Sequence, residues 1–154
     1  FKHDIGLNVF TCLYVLIPHI YNLFNDYPTL NHKFFKVLQV SITGFVDVFD
    51  RKLTNQQRTM LLDKTVITAL SSVSLDIIEQ GLDIILGMAK HNISVNGKSN
   101  FIDFFKKITY KLFDLLIQVD TPKDVYPSLS ITMLNVLISL YMHNENTLFN
   151  ILRQ

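Results

Sequence analysis

The chain has 154 residues, of which 49% are hydrophobic and 18% charged, and its formal net charge at pH 7 is +1. A charge so close to zero gives no global argument for nucleic acid or for an anionic membrane surface. The longest apolar run, residues 9–17, ends at Pro18 and is shorter than the roughly 20 residues that a membrane-spanning helix needs. We therefore expect no nucleic-acid partner and no membrane partner.

The first residue of the sequence and its single cysteine lead to two further expectations. It begins at Phe1 without a methionine and shows no signal-peptide pattern, so we expect residues 1–154 to be one all-helical segment of a larger protein. Cys12 is the only cysteine, which excludes an internal disulfide. Its apolar neighbours predict a buried, inert thiol.

The first two predicted helices meet at a proline. Apolar residues follow the helical three-and-four spacing over residues 7–24 and again over residues 30–49, the second set including Val37. Proline disfavours the α conformation of the residue before it, so Tyr27-Pro28 predicts that one helix stops near Asn25 and the next starts just after Pro28. Thr29 or Asn31 could cap that second helix.

The remaining helices have recognisable start signals. Thr54 with Gln57 fits a capping box for a helix to about residue 71, and Ser74 fits an N-cap for a helix to about residue 90. Residues 91–100 are loop-like, with an Asn96-Gly97 turn. A helix over about 101–119 follows. Thr121-Pro122 then predicts a capped start for a helix to about residue 143, and a short helix over about 145–152 ends the pattern.

These helices form pairs that recur at about 45 residues, as HEAT or armadillo-type repeats do. The pairs cover about residues 5–50, 54–91 and 100–143, with a partial helix over 145–154. We therefore predict an all-α fold, an α-solenoid of about three HEAT-like antiparallel helix pairs. Such units bury their apolar faces by stacking on one another. A closed multi-helix bundle is the alternative, because periodicity alone does not separate the two.

No pattern in the sequence predicts catalysis, a cofactor or a metal. The five histidines never form a zinc-type pair with each other or with Cys12, and we interpret them as surface or helix-end residues. The five glycines are isolated, so no phosphate-binding loop is indicated. Without a nucleophile, a base and an orienting group in one constellation, we expect a protein that is not an enzyme.

Two groups of charged residues are candidates for partner binding. Asp76, Glu79 and Asp83 are three and four residues apart, so they share one helix face and could meet a basic partner. Lys107 and Lys111 share a face of the fifth helix and could meet an acidic one. An ordinary solvated helix face is the alternative for both groups.

The Tyr-Pro joint also carries a family resemblance. Residues 26–30, DYPTL, followed by the pair Phe34-Phe35, resemble the carboxy-terminal region of the importin-β-like exportins, in particular exportins four and seven. The runs LYVLIP at 13–18 and ALSSVSLDIIEQGLDII at 69–85 extend the resemblance. It implies an α-solenoid nuclear transport receptor that shuttles between nucleus and cytoplasm and binds a cargo protein and the GTPase Ran. A generic helical-repeat scaffold in a large assembly, with no transport role, is the alternative function.

Overall fold

The computed structural model describes residues 2–24, 26–118 and 120–153, and this part of the chain is helical, without a strand. The expectation of an all-α fold is confirmed. In chain order the elements are α1 (Lys2–Ile20), a 3₁₀ turn (Tyr21–Leu23), α2 (Pro28–Gly44), α3 (Val46–Arg51), α4 (Asn55–Leu61), a π turn (Leu62–Val66), α5 (Ile67–Leu70), α6 (Leu75–Ser94), α7 (Ile102–Ile117), a second 3₁₀ turn (Lys123–Val125), α8 (Tyr126–His143) and α9 (Glu145–Leu152).

The joint between α1 and α2 forms where the proline predicts it. Pro28 is the first residue of α2, a position where its missing N–H costs no helical hydrogen bond. The predicted end of the first helix, Asn25, lies outside the described residues. Tyr27 occupies the N-cap and makes no side-chain cap bond, so the prediction that Thr29 or Asn31 caps α2 is wrong.

The second predicted helix is interrupted. Phe45, with φ −130° and ψ 34°, leaves the helical region between α2 and α3. Its ring lies 3.0 Å from the position that a Cβ on Gly6 of α1 would occupy. A tertiary contact with α1 therefore accompanies the break, which local periodicity did not reveal. Val37, predicted to face the core, is 54% exposed.

Local signals after residue 50 are partly confirmed. The Thr54–Gln57 capping box forms, with both reciprocal bonds, and Asn96 and Gly97 have φ of 55° and 74°, as the Asn-Gly turn predicts. Ser74 sits at the N-cap of α6, but its side chain makes no cap bond. The predicted Thr121 cap is wrong: the Thr121 hydroxyl donates instead to the Leu115 carbonyl at 2.7 Å.

Helix α6 lies between α2 and α8 and packs extensively against both. Gln39 of α2 contacts Asp83 of α6, 44 residues later, and His32 approaches Asp76 at the same offset. Between α6 and α8, two hydrogen bonds join residues 50 apart, Thr132 to Leu82 and Ser139 to Ala89. Because each offset stays constant along the helices, α2, α6 and α8 run parallel to one another.

Aromatic rings connect the core across the elements. Phe10 of α1 meets Phe49 of α3 with ring centroids 4.9 Å apart, Phe49 lies 5.9 Å from Phe101, and Phe101 lies 6.2 Å from Phe105 of α7. All four rings are at most 1% exposed. This run of rings joins α1, α3 and α7. Rings in such tilted and edge-on pairs stabilise a core beyond the area they bury.

Candidate protein-interaction surfaces

The acidic edge, Asp76, Glu79 and Asp83, lies on α6 where this helix borders α2. The Gln39 amide donates to Asp83 Oδ2 at 2.6 Å, and His32 Nδ1 lies 3.9 Å from Asp76 Oδ2. Asp76 is exposed and Glu79 is half-buried. The neighbouring helix therefore already engages Asp83, whereas the Asp76 side chain, 68% exposed, remains open to a partner.

The candidate cations on α7 face other groups. Lys107 Nζ lies 2.7 Å from Asp63 Oδ2 in the π turn, and its side chain is 55% exposed. Lys111 is half-buried and lines a depression beside Thr121 and Pro122. The Lys107 pair bridges the π turn to α7, and a surface pair of this kind contributes about 0–1 kcal/mol.

A buried polar cluster, which the sequence did not suggest, surrounds Asp50. This residue is 3% exposed. Its carboxylate accepts from the Asn100 backbone N–H at 2.7 Å and lies 3.1 Å from His91 Nε2. The His91 side chain is 10% exposed and lies in the last turn of α6, so of the two expected positions for a histidine, surface or helix end, it has the second. Through these bonds Asp50 joins α3 to the end of α6 and to the loop that follows it.

Arg58 completes the same cluster. Its Nη1 donates to the carbonyls of Asp50, at 2.8 Å, and Leu53. Burial lowers the pKa of Arg58 below its ordinary value, and the carboxylate of Asp50 opposes that shift. Because arginine keeps its proton at any pH where proteins fold, the guanidinium acts as a fixed charged clamp on the turn between α3 and α4.

Asn92 makes a second buried connection. It is 0% exposed, its oxygen accepts from Ser99 N–H and Ser99 Oγ at 3.1 and 2.7 Å, and its amide donates to the Ser139 carbonyl at 3.3 Å. The Asn92-Ile93-Ser94 triplet matches a glycosylation sequon. A glycan could not be accommodated on a side chain that the fold encloses and uses in this way.

A cavity of about 560 Å³ opens where the Tyr21–Leu23 turn, the start of α2 and the joint between α5 and α6 meet. We call it the joint cavity. Phe24, Phe35 and Ile77, all at most 5% exposed, contribute apolar surface to it. Pro28 and Val73 are also apolar, most of the other lining side chains carry a hydroxyl or an amide, and His32 and Tyr21 are the titratable lining residues. The full lining is Tyr21, Asn22, Phe24, Pro28, Asn31, His32, Phe35, Thr68, Ser71, Ser72, Val73, Ser74 and Ile77.

Two outward helix faces are apolar. On α8 the exposed residues Ile131, Leu134, Ile138 and Tyr141 follow the three-and-four spacing of one face. On α1, Leu16 is 49% exposed and Cys12 is also exposed, so the prediction of a buried thiol is wrong. The apolar neighbours of Cys12 in sequence lie on more than one face of α1, and its own face is open.

The same two regions are apolar enough, by length and composition, to cross a membrane. The segments are His3–Leu23 and Lys123–His143, with mean hydropathies of 1.3 and 1.4. A core helix of a soluble protein passes the same test. An average over His3–Leu23 includes residues beyond Pro18, which the uninterrupted apolar run at 9–17 leaves out.

Within residues 2–24, 26–118 and 120–153, no group of three or more His, Cys, Asp or Glu side chains could hold a metal ion. Comparison with known proteins adds no relative: no family model, no curated protein and no solved structure matches the chain.

Proposed function

We propose that the chain is a stack of three helix pairs that binds other proteins, and that it forms part of an exportin-like nuclear transport receptor. The observation that carries the stack is the parallel alignment of α2, α6 and α8 at offsets of 44 and 50 residues. Repeated helix pairs place their second helices side by side and parallel at about one repeat length. An up-and-down bundle instead makes neighbouring helices antiparallel.

The first helices of the pairs support the same arrangement. Tyr21, the first residue of the 3₁₀ turn after α1, contacts Thr68 of α5 at 3.2 Å, 47 residues later. Asp63 in the π turn binds Lys107 of α7, 44 residues later. The two rows of helices therefore advance by similar offsets.

One set of contacts favours the closed-bundle alternative. Phe49 packs on Phe101, and Asp50 binds Asn100, so the end of the first pair (5–50) contacts the start of the third pair (100–143) directly, as a closed bundle predicts. In the proposed stack α3 is the short helix that leads from the first pair to the middle pair, and it lies across one end of the middle pair. An experimental structure in which α2 packs directly on α8 would contradict the stack.

The transport function rests on the DYPTL resemblance at residues 26–30 together with this architecture. The test is a pull-down with Ran loaded with GTP, using Ran loaded with GDP as the control. It compares this chain with a longer polypeptide that contains it. We expect the longer polypeptide to retain the GTP form selectively, and failure of both to retain it would refute the receptor assignment.

The acidic edge is the proposed contact for a basic surface of cargo or Ran. Asp76→Asn removes a charge whose side chain is 68% exposed, so we expect weaker partner binding with unchanged folding. Asp103→Asn, at a side chain 95% exposed on α7, is the matched control. Equal effects of the two substitutions would remove the acidic edge from the proposal.

A helical scaffold without a transport role is the second candidate, and the outward apolar face of α8 favours it. Ile131 and Leu134 are 52% and 58% exposed, as expected of a face that another repeat or subunit covers. Stable assembly with a partner that is independent of the Ran nucleotide state would favour the scaffold over the receptor.

A further inference from the structure

We propose that the joint cavity binds an extended, uncharged peptide segment of a partner protein and takes one aliphatic side chain of that segment against Phe24 and Phe35. The inference rests on the proposed protein-binding function and deepens it by naming the chemistry of the ligand. The cavity volume of about 560 Å³ lies within the range of about 300–1,000 Å³ that ligand sites occupy.

The charge of the lining selects the ligand class. Lysine, arginine, aspartate and glutamate are absent from the described residues that line the joint cavity. The charged groups beside the lining residues have opposite signs: Asp76 Oδ2 lies 3.9 Å from His32 Nδ1, and Lys64 Nζ lies 5.2 Å from the centroid of the Tyr21 ring. A neutral occupant therefore fits this surface better than a charged one.

The hydrogen-bonding groups of the lining favour a ligand that both donates and accepts hydrogen bonds. Asn31 lines the cavity, and its side-chain oxygen is buried without a hydrogen-bond partner, so it is an acceptor that the fold leaves unused. The hydroxyls of Ser71 and Ser74 also border the cavity and can act in either direction. A peptide amide supplies one donor and one acceptor per residue, whereas a fully ionised phosphate supplies acceptors alone.

The apolar groups of the lining favour a ligand that carries an aliphatic side chain. Phe35 and Ile77 are 1% and 4% exposed, so the core holds them in place and they give the cavity a small, rigid apolar floor. Val73 also lines the cavity and is 103% exposed, so it offers aliphatic surface at the rim. An aliphatic side chain that enters the cavity would contact the floor and Val73 together.

The test is amide-resolved NMR of the full chain with three small probes: N-acetyl-leucine methylamide, N-acetyl-glycine methylamide and inorganic phosphate. We expect the leucine probe to shift the amides of residues 29–32 and 72–77 with a dissociation constant of about 1 mM. The glycine probe, which lacks the side chain, should bind about tenfold more weakly. Phosphate should leave these amides unchanged.

Two substitutions connect binding to the named groups. Val73→Ser should weaken the leucine probe about threefold, and Asn31→Ala should weaken it about fivefold. Val15→Ser on the exposed face of α1 and Asn135→Ala on α8 are the matched controls, and we expect no change from either. Circular dichroism melts of all four variants verify that each one folds.

Several results would overturn the proposal. They are shifts caused by phosphate and not by the leucine probe, no shift with any probe, or equal shifts along the outward faces of α1 and α8. If the peptide site is absent while the pull-down still succeeds, the proposed function stands without this inference. If the probes bind as expected and the pull-down fails, the peptide site stands and the transport assignment falls.

Discussion

The substitution Gly97→Ala tests the most constrained point of the fold. Gly97 has φ +74°, and a Cβ placed on it would lie 2.7 Å from the His143 backbone nitrogen and 2.8 Å from the Met142 carbonyl carbon. The His143 ring also contacts the Gly97 carbonyl oxygen at 3.0 Å. The loop therefore packs backbone against backbone at the end of α8, where no flexible side chain can move aside.

The expected cost has two parts. The left-handed conformation disfavours alanine by about 1 kcal/mol, and overpacking of a rigid contact adds about 1–3 kcal/mol. We expect Gly97→Ala to lower the free energy of unfolding by about 3 kcal/mol. For a chain of this size that lowers the melting temperature by about 6–12 °C.

Gly44→Ala is the matched control with the opposite sign. Gly44 ends α2, and a Cβ there meets nothing within 4 Å. Alanine should therefore raise the free energy of unfolding by about 0.5–1 kcal/mol, because it restricts the unfolded chain. Urea unfolding of the two variants and the parent measures both changes. A Gly97→Ala variant within 0.5 kcal/mol of the parent would refute the close approach of the loop to α8.

Three further predictions test the cluster, the cap and the cysteine. Asp50→Ala should lower the free energy of unfolding by about 3 kcal/mol because it leaves buried donors unpaired. The control Asp47→Ala, at a partly exposed site, should lower it by less than 0.5 kcal/mol. Equal costs of the two substitutions in urea unfolding would contradict the buried network. Thr54→Ala should lower it by about 1 kcal/mol, and Ser74→Ala by a few tenths at most, since that hydroxyl makes no cap bond. Cys12 should react with a water-soluble maleimide in the native protein as fast as in urea, and slow native labelling would show that α1 is covered.

Features determined by neighbouring residues were predicted well from the sequence. The Thr54–Gln57 box closes through bonds between residues three apart. Pro28 disfavours the helical conformation of its predecessor, and Tyr27 has φ −129° and ψ 79°, whereas Asn96-Gly97 adopts positive φ because these two residue types tolerate it. Each of these signals acts within one turn, and at these three places no distant contact overrides it.

Features that depend on distant residues were missed. The interruption at Phe45 accompanies its packing against Gly6, and the Thr121 hydroxyl turns back to a carbonyl six residues earlier instead of capping the next helix. The Asp50–Asn100 bonds join residues 50 apart. The positions of Asp50 and Asn100 in the sequence do not predict that they bond, because the bond depends on how α3 packs against the end of α6.

The candidate interaction residues were placed correctly along a helix, but their surroundings were not predicted. Helical spacing put Asp76 and Asp83 on one face, and both border α2 in the structure. The engagement of Asp83 by Gln39 needed the α2–α6 alignment. The joint cavity is likewise lined by three separate segments, so no single stretch of sequence predicts it.

The parallel course of α2, α6 and α8 also has an electrical consequence. Aligned peptide dipoles give a helix about half a positive charge at its N-terminus and half a negative charge at its C-terminus, and in a parallel row these partial charges lie at the same two edges. The last turns of α6 and α8 carry His91 and His143. In the proposed pairs the first helices run the other way and place opposite partial charges at each edge, so this polarity belongs to the α2–α6–α8 row, and a charged protein that approaches that row would be oriented by it although the net charge of the chain is only +1.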